Sequence, residues 1–155
     1  MSDRQTLPIA SQSTVRHFSP PLIRVADETD VPFVNALIEG DASEYMARVT
    51  TLVTQYGFYF LEPVTSSILE AHMAFYPEGR GRHALKAARE GLRYAFTELN
   101  ALVVFGRIPL EDRAARIFTR MIGLKSDGVR ENSPGGDLVE WFEVRADDFM
   151  ESHGG

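Results

Sequence analysis

Between Tyr76 and Leu92 the chain reads YPEGRGRHALKAAREGL. The turn formers Pro77, Gly79 and Gly81 lead straight into a helical pattern, with Arg80, Arg82 and His83 at the junction. Such a junction can hold an anion. A helix N-terminus leaves about four backbone N–H groups without intrahelical partners, and the helix dipole favours negative charge there. Glycine lets the backbone approach closely, and arginine adds charge-assisted contacts suited to phosphate. His83 reads either as a ligand contact or as a solvent-exposed first-turn residue. Lys86, Arg89 and Arg93 continue the positive charge as a solvated helix face, with Glu90 available for local pairing. Just upstream, SILEAHMAFY places Glu70 and His72 two residues apart. On a strand, both would point to the same face.

The elements that must position these groups follow from pattern. LIRVA (22–26) predicts a short strand, and DETD supplies helix-start chemistry with Asp27 or Thr29 as cap and Pro32 in the first turn. VPFVNALIEG continues as a helix ending at Gly40, and a second helix is predicted over Ala42–Gln55. Gly57–Val64 and Ser67–Tyr76 read as antiparallel strands joined by the Pro63–Ser66 turn. After the basic turn, Leu85, Ala88, Leu92, Ala95 or Phe96, and Leu99 repeat at three and four residues, which predicts an amphipathic helix. ALVVFGR (101–107) is an unbroken apolar run typical of a doubly buried strand. A further helix carries Ala114, Ile117, Phe118, Met121 and Ile122 on one face and ends at Gly123. Two closing strands, 127–131 and 138–144, flank NSPGGD. The order β-α-α-β-β-α-β-α-β-β implies a mixed α/β sheet with helices on its faces. Phe58, Phe60 and Phe75 are expected in the core and Trp141 at a packed sheet edge. Asp147, Asp148 and Glu151 are expected in a polar turn rather than a metal site.

The 155 residues suit one domain, and 44% hydrophobic with 25% charged residues predicts a packed core. The division expected is an N-terminal arm over 1–21, a domain over 22–150 and a frayed tail over 151–155. A net charge of -6 argues against general nucleic-acid binding, whereas a local basic patch suits a small anion. The absence of cysteine excludes disulfides, thiolate metal sites and a cysteine nucleophile. No apolar run approaches the ~20 residues of a membrane span. MSDRQTLPIASQSTVRHF lacks the apolar region of a secretory signal, so a cytoplasmic protein is expected.

Over roughly Leu22–Val144 the chain resembles the GNAT superfamily of N-acetyltransferases. LIRVADETDVPFVNAL is similar to the family's opening strand and helix, and PEGRGRHALKAAREGLRYAFTELNA to its acetyl-CoA motif. RIPLEDRAARIFTRMIGL is similar to the segment that follows, and SDGVRE and GGDLVEWFEV to the last two strands. Short members from bacteriophage and bacterial genomes, whose turn often reads R-G-K-H-A, are the most alike. The resemblance implies a mostly antiparallel mixed sheet flanked by helices, its central parallel pair splayed at a coenzyme A cleft. It implies acetyl-CoA as co-substrate and a primary amine, on a protein or small molecule, as acceptor. Neither nucleic acid nor membrane is implied as a partner. A homodimer or larger assembly is left open.

Carried over to this sequence, Met73, Ala74 and Phe75 would pair with the pantetheine arm. Gly79, Arg80, Gly81, Arg82, His83 and Ala84 would surround the pyrophosphate, with Asp112 and Ala115 across the cleft. The turn departs from the family's Q/R-x-x-G-x-G/A pattern, at His83 and Leu85 counted from Arg80 or at Glu78 and His83 counted from Glu78, and the catalytic positions depart further. Asp112 stands where Asn is usual, and Thr119 falls where the family often has a Tyr acid. A common strand Glu falls near Arg107. Glu70 and His72, on the strand flanking the reaction centre, are the remaining candidates for a base acting through water. The alternative is a catalytically inactive binding or structural protein of this fold, such as a phage-associated assembly component.

Overall fold

The computed structural model describes residues 22–152; the expected N-terminal arm lies outside them. Among the described residues seven strands form one sheet: β1 (Arg24–Val25), β2 (Thr50–Val53), β3 (Gly57–Pro63), β4 (Ile68–Phe75), β5 (Val103–Pro109), β6 (Lys125–Glu131) and β7 (Leu138–Arg145). Their order is β1-β2-β3-β4-β5-β7-β6. Five α-helices accompany it: α1 (Val31–Ile38), α2 (Ser43–Met46), α3 (Arg82–Thr97), α4 (Arg113–Met121) and α5 (Ala146–Ser152). All pairings are antiparallel except that of β4 with β5. The mixed, mostly antiparallel sheet with one central parallel pair is therefore the fold the sequence predicted.

That parallel pair is short. Its ladder holds only Ile68–Val103, Leu69–Val104 and Glu70–Phe105. Beyond Glu70, β4 stays paired with β3 as far as Phe75–Gly57, and β5 with β7 as far as Pro109–Val139. Each strand is thus held from its outer side while the inner sides diverge.

Residue alternation separates two cores. One face carries Tyr59, Leu61, Leu69, Phe75, Val104, Phe142 and Val144 against Ala84, Ala87, Ala88, Leu92, Ala95 and Phe96 of α3. Ile122 and Leu124 after α4 and Phe149 of α5 complete that layer. The other face packs Val53, Phe58 and Phe60 against Val34 and Ala42. The expected burial of Phe58, Phe60 and Phe75 is observed.

Three sequence expectations change. The helix predicted over Ala42–Gln55 is a single turn, α2, followed by β2. Thr50, Thr51 and Val53 are β-branched and favour extended backbone. Leu52 and Val53 are fully buried on opposite faces, so no helical periodicity arises. Trp141 is half-buried on β7, an inner strand, because β6 forms the edge. Asp147, Asp148 and Glu151 belong to α5, not to a polar turn. At the chain's opening, Asp27 caps a 3-10 turn, Glu28–Asp30, accepting from the Thr29 amide, and Arg24 grips Asp30 with two bonds of 2.8 Å.

α4 is tied to the sheet by charge. Glu140 of β7, 5% exposed, accepts from Arg120 at 2.7 Å and from the Ser126 hydroxyl at 2.5 Å, with Arg116 at 3.5 Å. The Ser126 bond, then Arg120 and Arg116, hold its carboxyl below the usual 4.5. A folded-state value below the unfolded one stabilises the fold above pH 4.5, and that contribution disappears as pH falls through the depressed value. Glu140→Gln is therefore expected to flatten the loss of urea stability between about pH 5 and pH 3. Equal acid-side slopes for variant and parent would show that the carboxylate contributes nothing.

Candidate functional site

The diverging strands open a cleft of about 540 Å³. Met73, Ala74 and Phe75 of β4 form one wall, and Arg80 and Ala84 bound its end at α3. Asp112 and Ala115 face them from the start of α4. Seven sequence-predicted site residues are thereby brought together. Leu37, Tyr76 and Phe118 also line the cleft and were missed. Phe118 lies on the predicted apolar face of its helix, so periodicity marked it as core rather than as cleft.

At the turn, Gly81 is the N-cap of α3 with φ 85° and ψ -130°, and no side chain caps the helix. That backbone region is essentially restricted to glycine. A Cβ there would meet nothing within 4 Å, so the space beside Gly81 is open. Arg82 is exposed beside them. Arg80 turns back instead, its Nε donating to the Phe75 carbonyl at 3.2 Å. Asp112 spends one carboxylate oxygen on its own helix, accepting from the Ala115 amide at 3.1 Å.

Two of the predicted residues make packing contacts within the fold. Gly79 is buried, and a Cβ on it would lie 2.2 Å from Cβ of Tyr56, so close packing on Tyr56 requires a glycine here. His83 is neither an exposed residue nor part of the cleft wall. Its Nε2 shares a 3.1 Å hydrogen bond with the Thr54 hydroxyl, and its ring meets Tyr56 and Phe75 edge-on at 5.0 and 5.9 Å. Burial lowers its pKa from the usual 6.5. Both residues dock the basic turn onto the turn before β3.

Glu70 and His72 share a face as expected, but their environments differ. Glu70 is 5% exposed and receives Arg107 bidentately, Nε to Oε2 at 2.6 Å and a terminal nitrogen to Oε1 at 2.9 Å. This pairing raises the Arg107 pKa. Both oxygens of Glu70 are thus engaged by Arg107. The His72 side chain is 41% exposed, with Nε2 3.5 Å from Glu62 and 3.8 Å from Glu70. Glu62 sits directly across from Glu70 in the ladder and accepts from the Tyr45 hydroxyl at 2.6 Å. That bond, together with His72 and Arg48, lowers the Glu62 pKa. Burial and the Glu62 carboxylate push the Tyr45 phenol far up. Glu62, Tyr45 and Arg107 were missed as members of this cluster, because strand register sets Glu62 and Arg107 beside Glu70 and His72, and the packing of α2 on β3 brings Tyr45 to Glu62. Carboxylate and imidazole ligand atoms of Glu62, Glu70 and His72 lie within 4.8 Å of one another, but the Arg107 guanidinium already serves Glu70 as its cation. Thr119, at the position of the resembled acid, is 3% exposed and donates to the Ala115 carbonyl at 2.7 Å.

This packing makes two predictions. Gly79→Ala is expected to destabilise by about 1–3 kcal/mol in urea unfolding, since the methyl must displace Tyr56. His83 is expected to titrate below 6.5 by NMR, because the fold favours its neutral form. The associated stability is complete above pH 6.5 and declines as pH falls from there through the lower folded value. A midpoint at or above 6.5 would contradict the buried pairing with Thr54.

No curated protein sequence matches the chain. Among solved structures it is similar to a spermidine N-acetyltransferase SpeG mutant from Vibrio cholerae, 15% identical with TM-score 0.72 over 84% of this chain and 98% of that one. A chimera of that protein with hSSAT gives 15% identity and TM-score 0.71 over 83% and 98%. Vibrio cholerae spermidine/spermine N-acetyltransferase SpeG in complex with manganese ions gives 17% and 0.66 over 84% and 95%. The chain shares their GNAT fold. A family model described as "Protein of unknown function (DUF2824)" matches residues 39–150, and the chain belongs to that family.

Proposed function

We propose that the protein is an acyl-CoA-dependent N-acyltransferase that acylates a primary amine. One observation carries the reading: the cleft between the splayed strands ends on the uncapped N-terminus of α3. The residues present fit coenzyme A. The open backbone at Gly81 and the first amides of α3 suit a pyrophosphate, with Arg82 adding charge. The inner edge of β4 at Met73–Phe75 has no ladder partner on β5, so its main chain can pair with an amide-bearing arm. The SpeG structures, named as spermidine N-acetyltransferases, share the architecture.

When bound, acetyl-CoA supplies a thioester carbonyl open to attack by a neutral amine. His72 is the exposed group suited to take the amine's proton, directly or through water. Glu62, 3.5 Å from its Nε2, stabilises the imidazolium that results. Tyr45 and Arg107 fix the two carboxylates that flank it. As the N–C bond forms, the C–S bond breaks; the nitrogen gives up one proton and the sulfur leaves as a thiolate that solvent protonates. Thr119 does not serve as that acid, because its hydroxyl is bonded to Ala115. Positioning then supplies much of the acceleration. The carboxylates around His72 favour a cationic amine as acceptor.

Thr119 and the committed Glu70 also favour a second reading, a coenzyme A-binding protein without catalysis. Calorimetry with coenzyme A and acetyl-CoA tests the shared premise. Heat of binding is expected, and none at high micromolar ligand would overturn both readings. In transfer assays over a panel of amines followed by mass spectrometry, His72→Gln is expected to lower kcat by roughly 10²- to 10⁴-fold. Binding without transfer to any amine selects the second reading.

A further inference from the structure

Behind the point where β4 and β5 part lies a separate apolar cavity of about 50 Å³. A single water needs roughly 10–15 Å³ on the same measure. Ala71 and Met73 of β4 and Gly106 and Ile108 of β5 face Gly91 of α3 and Thr119 of α4 across it. The polar groups in the walls are already engaged: the Tyr59 hydroxyl donates to the Ala84 carbonyl at 3.1 Å, and Thr119 to Ala115. Apolar cavities of this kind take apolar groups in preference to water.

Met73 belongs to both the cleft wall and the cavity wall. From Phe75 to Ala71 the strand advances about 13 Å, so an extended group lying along β4 from α3 points its far end into the cavity. Two glycines keep the space open without being required by the backbone. Neither Gly91 nor Gly106 has positive φ. A methyl at Gly91 would make ordinary contacts, 3.7 Å from the Tyr59 ring and 3.9 Å from Leu52. One at Gly106 would meet only the Ala71 carbonyl, at 3.7 Å. A glycine in the middle of a helix or strand weakens it relative to alanine. The sequence therefore forgoes stability at two places that border the same void.

We infer that this cavity receives the acyl chain of the donor, so that the protein accepts straight acyl groups longer than acetyl, of the propionyl and butyryl class. The inference rests on the coenzyme A reading above. Bond making and breaking are unchanged: the acyl carbon exchanges its sulfur for the amine nitrogen, and the added methylenes stay in the cavity.

Calorimetry on the full chain with coenzyme A, acetyl-, propionyl-, butyryl- and hexanoyl-CoA tests it. Affinity is expected to rise roughly three- to fourfold per methylene from acetyl to butyryl, and to fall at hexanoyl, which outgrows the space. In Gly106→Val the butyryl-to-acetyl ratio is expected to drop towards one. If that variant does not fold, Gly91→Ala is the substitute, expected to raise the melting temperature while lowering the same ratio. Affinities that stay flat from acetyl to butyryl while coenzyme A binds would overturn the inference and leave the transferase reading standing. Absence of binding by every thioester and by coenzyme A would overturn both.

Discussion

The architecture turns on the shortness of one ladder. Three residue pairs join β4 to β5, after which each strand follows its other neighbour. Main-chain groups left between two strands cannot stay both buried and unpaired. The divergence therefore demands something in the gap: solvent, a ligand, or the ends of helices. The chain brings two helix starts to its rim. α3 begins at Gly81 after the turn that leaves β4, and α4 begins after Asp112, just beyond β5. Both follow directly from the two diverging strands, so the gap and the positive ends of the helix dipoles come from the same topology.

At the closed end of the gap, Arg107 reaches from β5 to Glu70 on β4 and fixes the strands where they still pair. The pair does more than link them. By taking both oxygens of Glu70 it leaves His72 as the exposed titratable group between two carboxylates. The guanidinium gives that buried carboxylate a cationic, doubly hydrogen-bonded partner. Strand spacing and the character of the polar cluster are thus set by one ion pair.

Elements with strong internal pattern were legible from sequence: the amphipathic stripe of α3, the apolar run of β5, the hairpin of β3 and β4. β2 was not, because a four-residue strand buried on both faces has no period to read, and it follows a helical turn closely enough to look like its continuation. The cleft was legible as a strand, a glycine turn and a helix in succession. The roles of Gly79 and His83 were not. Their partners Tyr56 and Thr54 come from a turn more than twenty residues earlier in the chain. The residues alone suggest a ligand for Gly79 and either a ligand or solvent for His83; the tertiary fold sets Tyr56 against the first and the Thr54 hydroxyl beside the second. Glu62 was invisible for a related reason, since only the register of β3 on β4 sets it opposite Glu70.

The two faces of the sheet divide the chemistry. On the side of α3 and α4 the gap is walled by apolar groups such as Phe75, Ala84 and Phe118, with the helix starts as its polar features. On the side of α1 and α2, Glu62, Glu70, His72 and Arg107 gather around the strand apex. An anionic, largely apolar donor and a cationic acceptor need opposite surroundings, and a single pocket lined for one would repel the other. A sheet parted over part of its length resolves the conflict, because it keeps two environments separate everywhere except at the gap. Groups arriving from the two faces can meet only there. The short ladder therefore sets both where the cleft lies and where the reacting atoms of the proposed transfer must come together.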